Sequence, residues 1–431
     1  MILNTTVPSN YLAKVVLLGL PKQHPNADRL QIWDIDGQDV ITDMSRKPGD
    51  ICIFFPAECQ INHRILHTLN LYSSADLNQD LMTTGYISRS RRVKATKLRG
   101  VISEGMLLLA EDVFGKSSSE DLIGTKFDTV NGVIICNKYI PEYQSDQNDP
   151  KFSKNKPVKV SKLNQIVPGQ FAFHYDTNKI QDNLWIFTRE DKPLLENQIV
   201  ITDKWHGTSA VFSNLLVKKE LTFLQKIGNF LGMNISTKEY RKLYSSRSVI
   251  KYIEGLHKNP HSGHYDVDVW GKVFEDIKHV LMPEMSIYGE IVGYIGDTKM
   301  VQKGYDYGCN PGEHKFVVYR ITSTDPSGVV TEWSWSEIKD FCKEHNLEVV
   351  PELFSGTIKE WYIQNKIDLD ALFLNALKSM YLEKKCKFCK SKVPAEGICI
   401  RAESFDKKAY KLKSKAFLLQ ETLDLDGFTA E

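Results

Sequence analysis

The chain has 431 residues, 42% of them hydrophobic and 25% charged, with a formal net charge of +1. These proportions belong to a folded protein of two or three domains and exclude disordered, collagen-like and disulfide-stapled classes. No apolar run is long enough to span a bilayer and the eight cysteines follow no paired pattern, so a cytoplasmic monomer with no membrane partner is expected.

The first hundred residues read as short strands with turns. Val15–Leu20 is followed by the turn-rich His24-Pro25-Asn26-Ala27-Asp28, then by Leu30–Ile35, an Asp36-Gly37 hairpin signal and Val40–Thr42. Pro48-Gly49-Asp50 makes another turn before Ile51–Pro56. Regularly spaced short strands of this kind suggest a small barrel of the OB type. Within the region, Arg89 to Gly100 interleaves basic residues with Val93, Ala95 and Leu98. Because net charge is near zero, nucleic-acid affinity has to come from such a local patch. Arg91, Arg92, Lys94 and Lys97 are the candidate contacts; a solvated edge strand guarded by charge has the same composition.

A polar stretch from Pro141 to Lys156 looks like a linker. It sets expected boundaries of 1–142 for the barrel, 143–160 for the linker and 161–431 for a second domain of mixed strands and helices. There, the strand-like Gln198–Ile201 leads into Asp203-Lys204-Trp205-His206-Gly207-Thr208-Ser209 and a further apolar segment, Ala210–Phe212. This places Lys204 at a strand end beside a Gly-Thr-Ser turn whose N–H groups can approach a phosphate. A lysine attacks phosphorus only when unprotonated, so its site has to lower a reference pKa of about 10.4 by burial or nearby positive charge. Alone, the segment also fits a surface lysine before a tight turn.

Further along, Lys218 to Lys242 reads as a basic helical insertion, and Ser245-Ser246-Arg247-Ser248 as an arginine in a small-residue turn suited to phosphate or ribose oxygens. Ser286–Gly293 is a strand carrying Glu290, and His314–Arg320 an apolar strand whose aromatic can stack on a base. Helices are expected over Ser336–Lys343 and from about Leu369 to Lys385. Cys386-Lys387-Phe388-Cys389 lacks the second pair of a zinc finger and reads as two thiols in a turn between helix and strand. Glu396–Arg401 and Tyr410–Lys415 follow; Lys411 and Lys413, two apart, share one face of a strand.

The ordered set of lysine turn, arginine, strand carboxylate, aromatic strand, second carboxylate and lysine pair resembles motifs I, Ia, III, IIIa, IV and V of the covalent nucleotidyltransferases: DNA ligases, RNA ligases and capping enzymes. Lys-x-His-Gly-Thr is most similar to nick-sealing RNA ligases. The amino-terminal His24–Leu30 and Lys97–Gly100 segments resemble the OB domain of the fifth RNA-ligase family. The short stretch after Lys415 leaves no room for the further OB domain of DNA ligases and capping enzymes, which also favours the RNA-ligase reading.

The resemblance implies an α+β protein: an OB-like barrel followed by a mixed α/β adenylation domain. It implies ATP and magnesium or manganese as cofactors, and an RNA or RNA-containing duplex with 3′-OH and 5′-phosphate ends as partner. By it, Lys204 becomes lysyl-AMP, and Lys411 and Lys413 hold the α-phosphate and keep Lys204 unprotonated. Glu290 holds the ribose, Phe316 stacks on adenine, Arg247 contacts ribose or the end phosphate, and Glu396 binds the metal. Gly207 belongs to the nucleotide cradle; His206 touches phosphate or braces the turn. Two alternatives stay open, a GTP-using capping-type enzyme and a non-catalytic OB-fold RNA-binding protein.

Overall fold

The computed structural model describes residues 1–6, 10–115, 120–140, 162–174, 177–219, 221–256 and 267–429; the expected linker, 143–160, lies outside them. Two units divide the chain: Met1–Lys154 with Leu377–Glu383 and Lys413–Glu431, and Asn155–Ala376 with Lys384–Leu412.

In the first unit, Asp36 (φ 51°) and Gly37 (φ 78°) supply the two left-handed residues that a tight hairpin requires, joining Leu30–Ile35 to Gln38–Asp43. A four-stranded antiparallel sheet runs in the order Gly105–Leu109, Ile51–Pro56, Ala13–Leu17, Lys126–Phe127. Its alternate residues feed two separate cores. Ala13, Val15, Ile53 and Phe55 point into one, and Val16, Cys52, Phe54 and Leu107 into the other. A strand covered on both faces has to be apolar throughout, which explains the unbroken run Ile51–Phe55. The remaining strands form short separate ladders, and among the described residues none closes into a barrel.

The basic stretch is not the single charged edge strand expected of it. Only Thr96–Leu98 is extended, as a hairpin with Val101–Ser103, while Val93 and Ala95 are buried. Arg92 is turned inside at 2% exposure, giving two hydrogen bonds to the Glu58 carboxylate (2.6 and 2.8 Å) and one to Asp426 (3.3 Å). Lys94 donates to Asp426 at 2.9 Å. A buried guanidinium is tolerable only with such partners, so Arg92 is withdrawn as a nucleic-acid contact, and Lys94 is engaged in an ion pair. Arg91 is partly exposed and Lys97 is exposed.

The second unit is built on two sheets. In the smaller, the lysine strand Gln198–Lys204 lies between Gly397–Ala402 and Glu352–Thr357, with Ala409–Lys413 and Asn178–Lys179 beyond the former. In the larger, Thr208–Lys218 lies between Lys238–Ser246 and Met285–Ile295, followed by His314–Thr324. Helix Val269–Ile277 covers one face of this sheet through Phe274, which packs on Phe212 and Tyr244. The helix expected near Ser336 spans Trp335–Glu344, started by a Ser334–Glu337 capping box.

Two helix expectations are corrected. Lys218 to Lys242 holds one short helix, Phe223–Phe230, because Lys238 onward pairs with Thr208–Lys218 as a strand. The helix expected from Leu369 begins only at Phe373 and ends at Tyr381. The Asp368 carboxylate accepts the Asp370 N–H, holding a turn where the helix was to start.

Candidate active site

Lys204 ends its strand opposite Gly397 and is followed at once by a turn into Thr208–Lys218. The turn is fastened from several directions. His206 N–H donates to the Tyr307 hydroxyl (2.6 Å), and the Tyr307 ring stacks on Trp205 with centroids 4.3 Å apart. Gly207 N–H donates to Glu290 Oε1 (3.1 Å), while its carbonyl accepts from Gln302 Nε2 (2.7 Å). A Cβ on Gly207 would stand 2.3 Å from the Ile291 carbonyl oxygen, so only glycine lets the two strands approach this closely. The His206 ring packs edge-on to Tyr305. These contacts brace the turn at His206.

Beside the turn opens a cleft lined by Lys204, Glu290, Tyr319, Arg320, His174, Thr177, Asp203, Cys399, Arg401, Lys407 and Lys408 among others. Lys204 Nζ lies 2.8 Å from Glu396 Oε1, and the Glu396 side chain is almost wholly buried. Burial by itself disfavours the Lys204 ammonium, but Glu396, then Cys399 and Glu290, outweigh it and push the pKa up. The expected depression by neighbouring positive charge is therefore corrected: carboxylates hold this lysine charged. Burial pushes Glu290 up to about 7, against the pull of Lys204 and helped by the like charge of Glu396. His174 is driven down to about 3 by burial and by the cations Arg247, Lys204, Arg320 and Lys411. It is a neutral imidazole at physiological pH.

The structure brings most of the expected residues together. Arg247 sits in an exposed turn after Lys238–Ser246, and its charge acts on both Glu290 and His174. Lys411 is buried, and its charge reaches His174 and Cys399 on the cleft wall. Its presumed twin differs: Lys413 belongs to the first unit, where Nζ lies 2.9 and 3.0 Å from the two carboxylate oxygens of Glu421.

Phe316 is not on the cleft. It pairs with Ile291, one residue on from Glu290, and its ring lies over Gly289 and edge-on to Phe212, on the sheet face that helix Val269–Ile277 covers. The aromatic on the cleft is Tyr319, three residues later. Its hydroxyl hydrogen-bonds Ser209 Oγ and His174 Nδ1, each at 3.2 Å. Strand alternation explains the exchange: Val317 pairs with Glu290 and shares its face, Tyr319 follows two residues on, and Phe316, paired with Ile291, takes the opposite face. A β-bulge then adds Arg320, since Tyr288 pairs with Arg320 but Gly289 with Val318, leaving Tyr319 as the extra residue and both side chains on the cleft. Counting alternate residues could not reveal the bulge. His174 and Tyr307 carry no motif and were found only by their contacts. Cys386 and Cys389 lie in the bend between helix and strand, Phe388 between them packing on Trp205.

Glu290 and Glu396 form a donor set of the right chemistry for a hard divalent cation, since the half-buried Glu290 and the buried Glu396 are carboxylates that feel one another's charge. A cation held there would need water or substrate oxygens to complete its shell.

A family model described as RNA ligase matches residues 197–413, just over half of the chain. No curated protein matches significantly. Among solved structures, a Naegleria gruberi RNA ligase mutant with AMP and Mn is similar at a TM-score of 0.56 and 16% identity, over 95% of this chain and 98% of that one. A second Naegleria gruberi mutant, with ATP and Mn, gives 0.56 and 15% over the same shares. A third, in the apo state, gives 0.57 and 15% over 96% and 98%. At these identities the likeness concerns the fold.

Proposed function

This chain belongs to the RNA ligase family, and on that premise we propose that it seals 3′-OH/5′-phosphate breaks in RNA-containing duplexes using ATP and a divalent cation. The observation that carries the reading is the placing of Lys204 at a strand end in a cleft with Glu290, Glu396, Tyr319 and Arg320 around it. In the first step the Lys204 amine attacks the α-phosphorus; a P–N bond forms, the P–O bond to pyrophosphate breaks, and lysyl-AMP results. AMP then passes to the 5′-phosphate end, and the 3′-hydroxyl displaces it.

Such transfers depend on in-line positioning and charge neutralisation. Glu396, 2.8 Å from Nζ, fixes the lysine and is the nearest base for its proton. Lys411 and Arg247 supply positive charge for the phosphates. Glu290 cradles the ribose while accepting the Gly207 N–H. Tyr319 takes the base-stacking role first assigned to Phe316. A divalent cation on Glu396 would neutralise the triphosphate. Lys413, paired with Glu421, would be freed for phosphate only by exchanging that partner. An OB-type surface in the first unit, through Arg91 and Lys97, would grip the strand backbone.

The test is incubation with α-labelled ATP and magnesium, then denaturation. Label on the intact protein and none on Lys204→Ala is expected, followed by sealing of a nicked RNA duplex. Labelling by GTP alone would favour the capping-type reading, and no label from any nucleotide would leave the RNA-binding one.

A further inference from the structure

Thr208–Lys218 and Lys238–Ser246 form a ribbon whose pairing runs from Ala210 with Ser246 to Lys218 with Lys238. One end starts at the reactive-lysine turn. At about 3.4 Å per residue the other end lies about 30 Å away. There the chain forms helix Phe223–Phe230, with Phe223 77%, Leu224 78%, Phe230 90% and Leu231 72% exposed. With Ile227 they fall at i, i+1, i+4, i+7 and i+8, a single stripe about 120° wide, and the exposed Met233 extends it beyond the helix end.

A continuous exposed apolar stripe on otherwise ordinary protein marks an interaction surface. The helix is already formed. Thr222 and Gln225 close a capping box, and Asn229 both donates to Ile235 O (3.0 Å) and accepts from Ile235 N (2.6 Å). Lys226 lies on the helix itself, which carries no carboxylate, and in the flanking sequence Lys218, Lys219 and Lys238 outnumber Glu220 and Glu239. Two copies packed stripe to stripe would share only about 12 Å of helix, short of the roughly 1,200 Å² of a stable interface, and would bring like charges together. A flat anionic surface meets the stripe and its lysines at once.

We propose that this arm tip docks on an anionic lipid bilayer, its phenylalanines and leucines entering the headgroup–acyl boundary and its lysines meeting the headgroups. The ribbon then holds the reactive-lysine turn some 30 Å from the docked tip.

Flotation of the full chain with vesicles of phosphatidylcholine, alone or with added phosphatidylserine, tests this. About tenfold more protein should float with the serine lipid. The double variant Phe223→Glu, Phe230→Glu should lose flotation while keeping an unchanged thermal melt. No flotation with either vesicle, or equal flotation with both, would overturn the proposal. So would concentration-dependent sedimentation without flotation, abolished in the variant, which would assign the stripe to a second copy.

Discussion

Lys204 and Gly207 show how much a single position is asked to do. Lys204 is held charged by Glu396, Cys399 and Glu290, so the proposed nucleophile would be stored in an inactive, ion-paired form. Gly207 permits the close approach that lets its N–H reach Glu290. Gly207→Ala should therefore cost about 2–3 kcal/mol in urea unfolding, through the forced shift of the Ile291 strand, and abolish nucleotide labelling even in protein that remains folded. Glu290 makes a pH prediction. Its folded pKa, pushed up to about 7 by burial, lies above the unfolded value near 4.5. The folded carboxyl stays neutral where the unfolded one ionises, so wild-type stability falls as pH rises from about 4.5 to 7 and this loss levels off above. Glu290→Gln removes that slope. Melting temperatures measured across pH 4.5–7.5 should show the variant gaining on wild type as pH rises; a constant difference would refute the raised pKa.

Elements place these residues by pairing. The lysine strand is gripped on both sides, by Gly397–Ala402 and Glu352–Thr357, which fixes the height of Lys204 against Glu396. Bulges re-aim side chains: one shifts register between Ile201 and Thr202, another brings Arg320 beside Tyr319 on the cleft. At the far end of Glu352–Thr357 the chain passes into helix Ile358–Gln364 through a capping box in which Thr357 accepts from Glu360 N–H (3.1 Å) and Thr357 N–H donates to Glu360 (2.7 Å). Thr357→Ala should lower stability by about 1 kcal/mol with labelling by ATP retained. Because Thr357 pairs with Gln198, six residues from Lys204 along the strand, a large loss of labelling at full stability would mean that the cap also sets the lysine's position.

Across the whole molecule, charge is spent in two ways that sequence does not separate. Arg92 is interior and Lys97 exterior. Arg92→Met should destabilise by about 3–5 kcal/mol, since it strands Glu58, whose pKa burial already raises. Lys97→Ala should leave stability within about 0.5 kcal/mol and reduce the slope of RNA affinity against salt by about one; an unchanged slope would remove Lys97 from the RNA surface. Legible from sequence alone were the alternation of apolar residues, the Asp36-Gly37 hairpin and the family of the lysine domain. The first two are local, since side-chain period and turn chemistry depend on neighbours within a few residues; the family is read from short motifs in their order along the chain. Register, bulges and long-range ion pairing are not local, and they decided that Tyr319 rather than Phe316 faces the cleft and that Arg92 faces inward. They also set carboxylates, not cations, around Lys204. The sequence determined which groups are available for chemistry; only the tertiary structure, by pairing residues 73 to 203 positions apart, decided which of them meet.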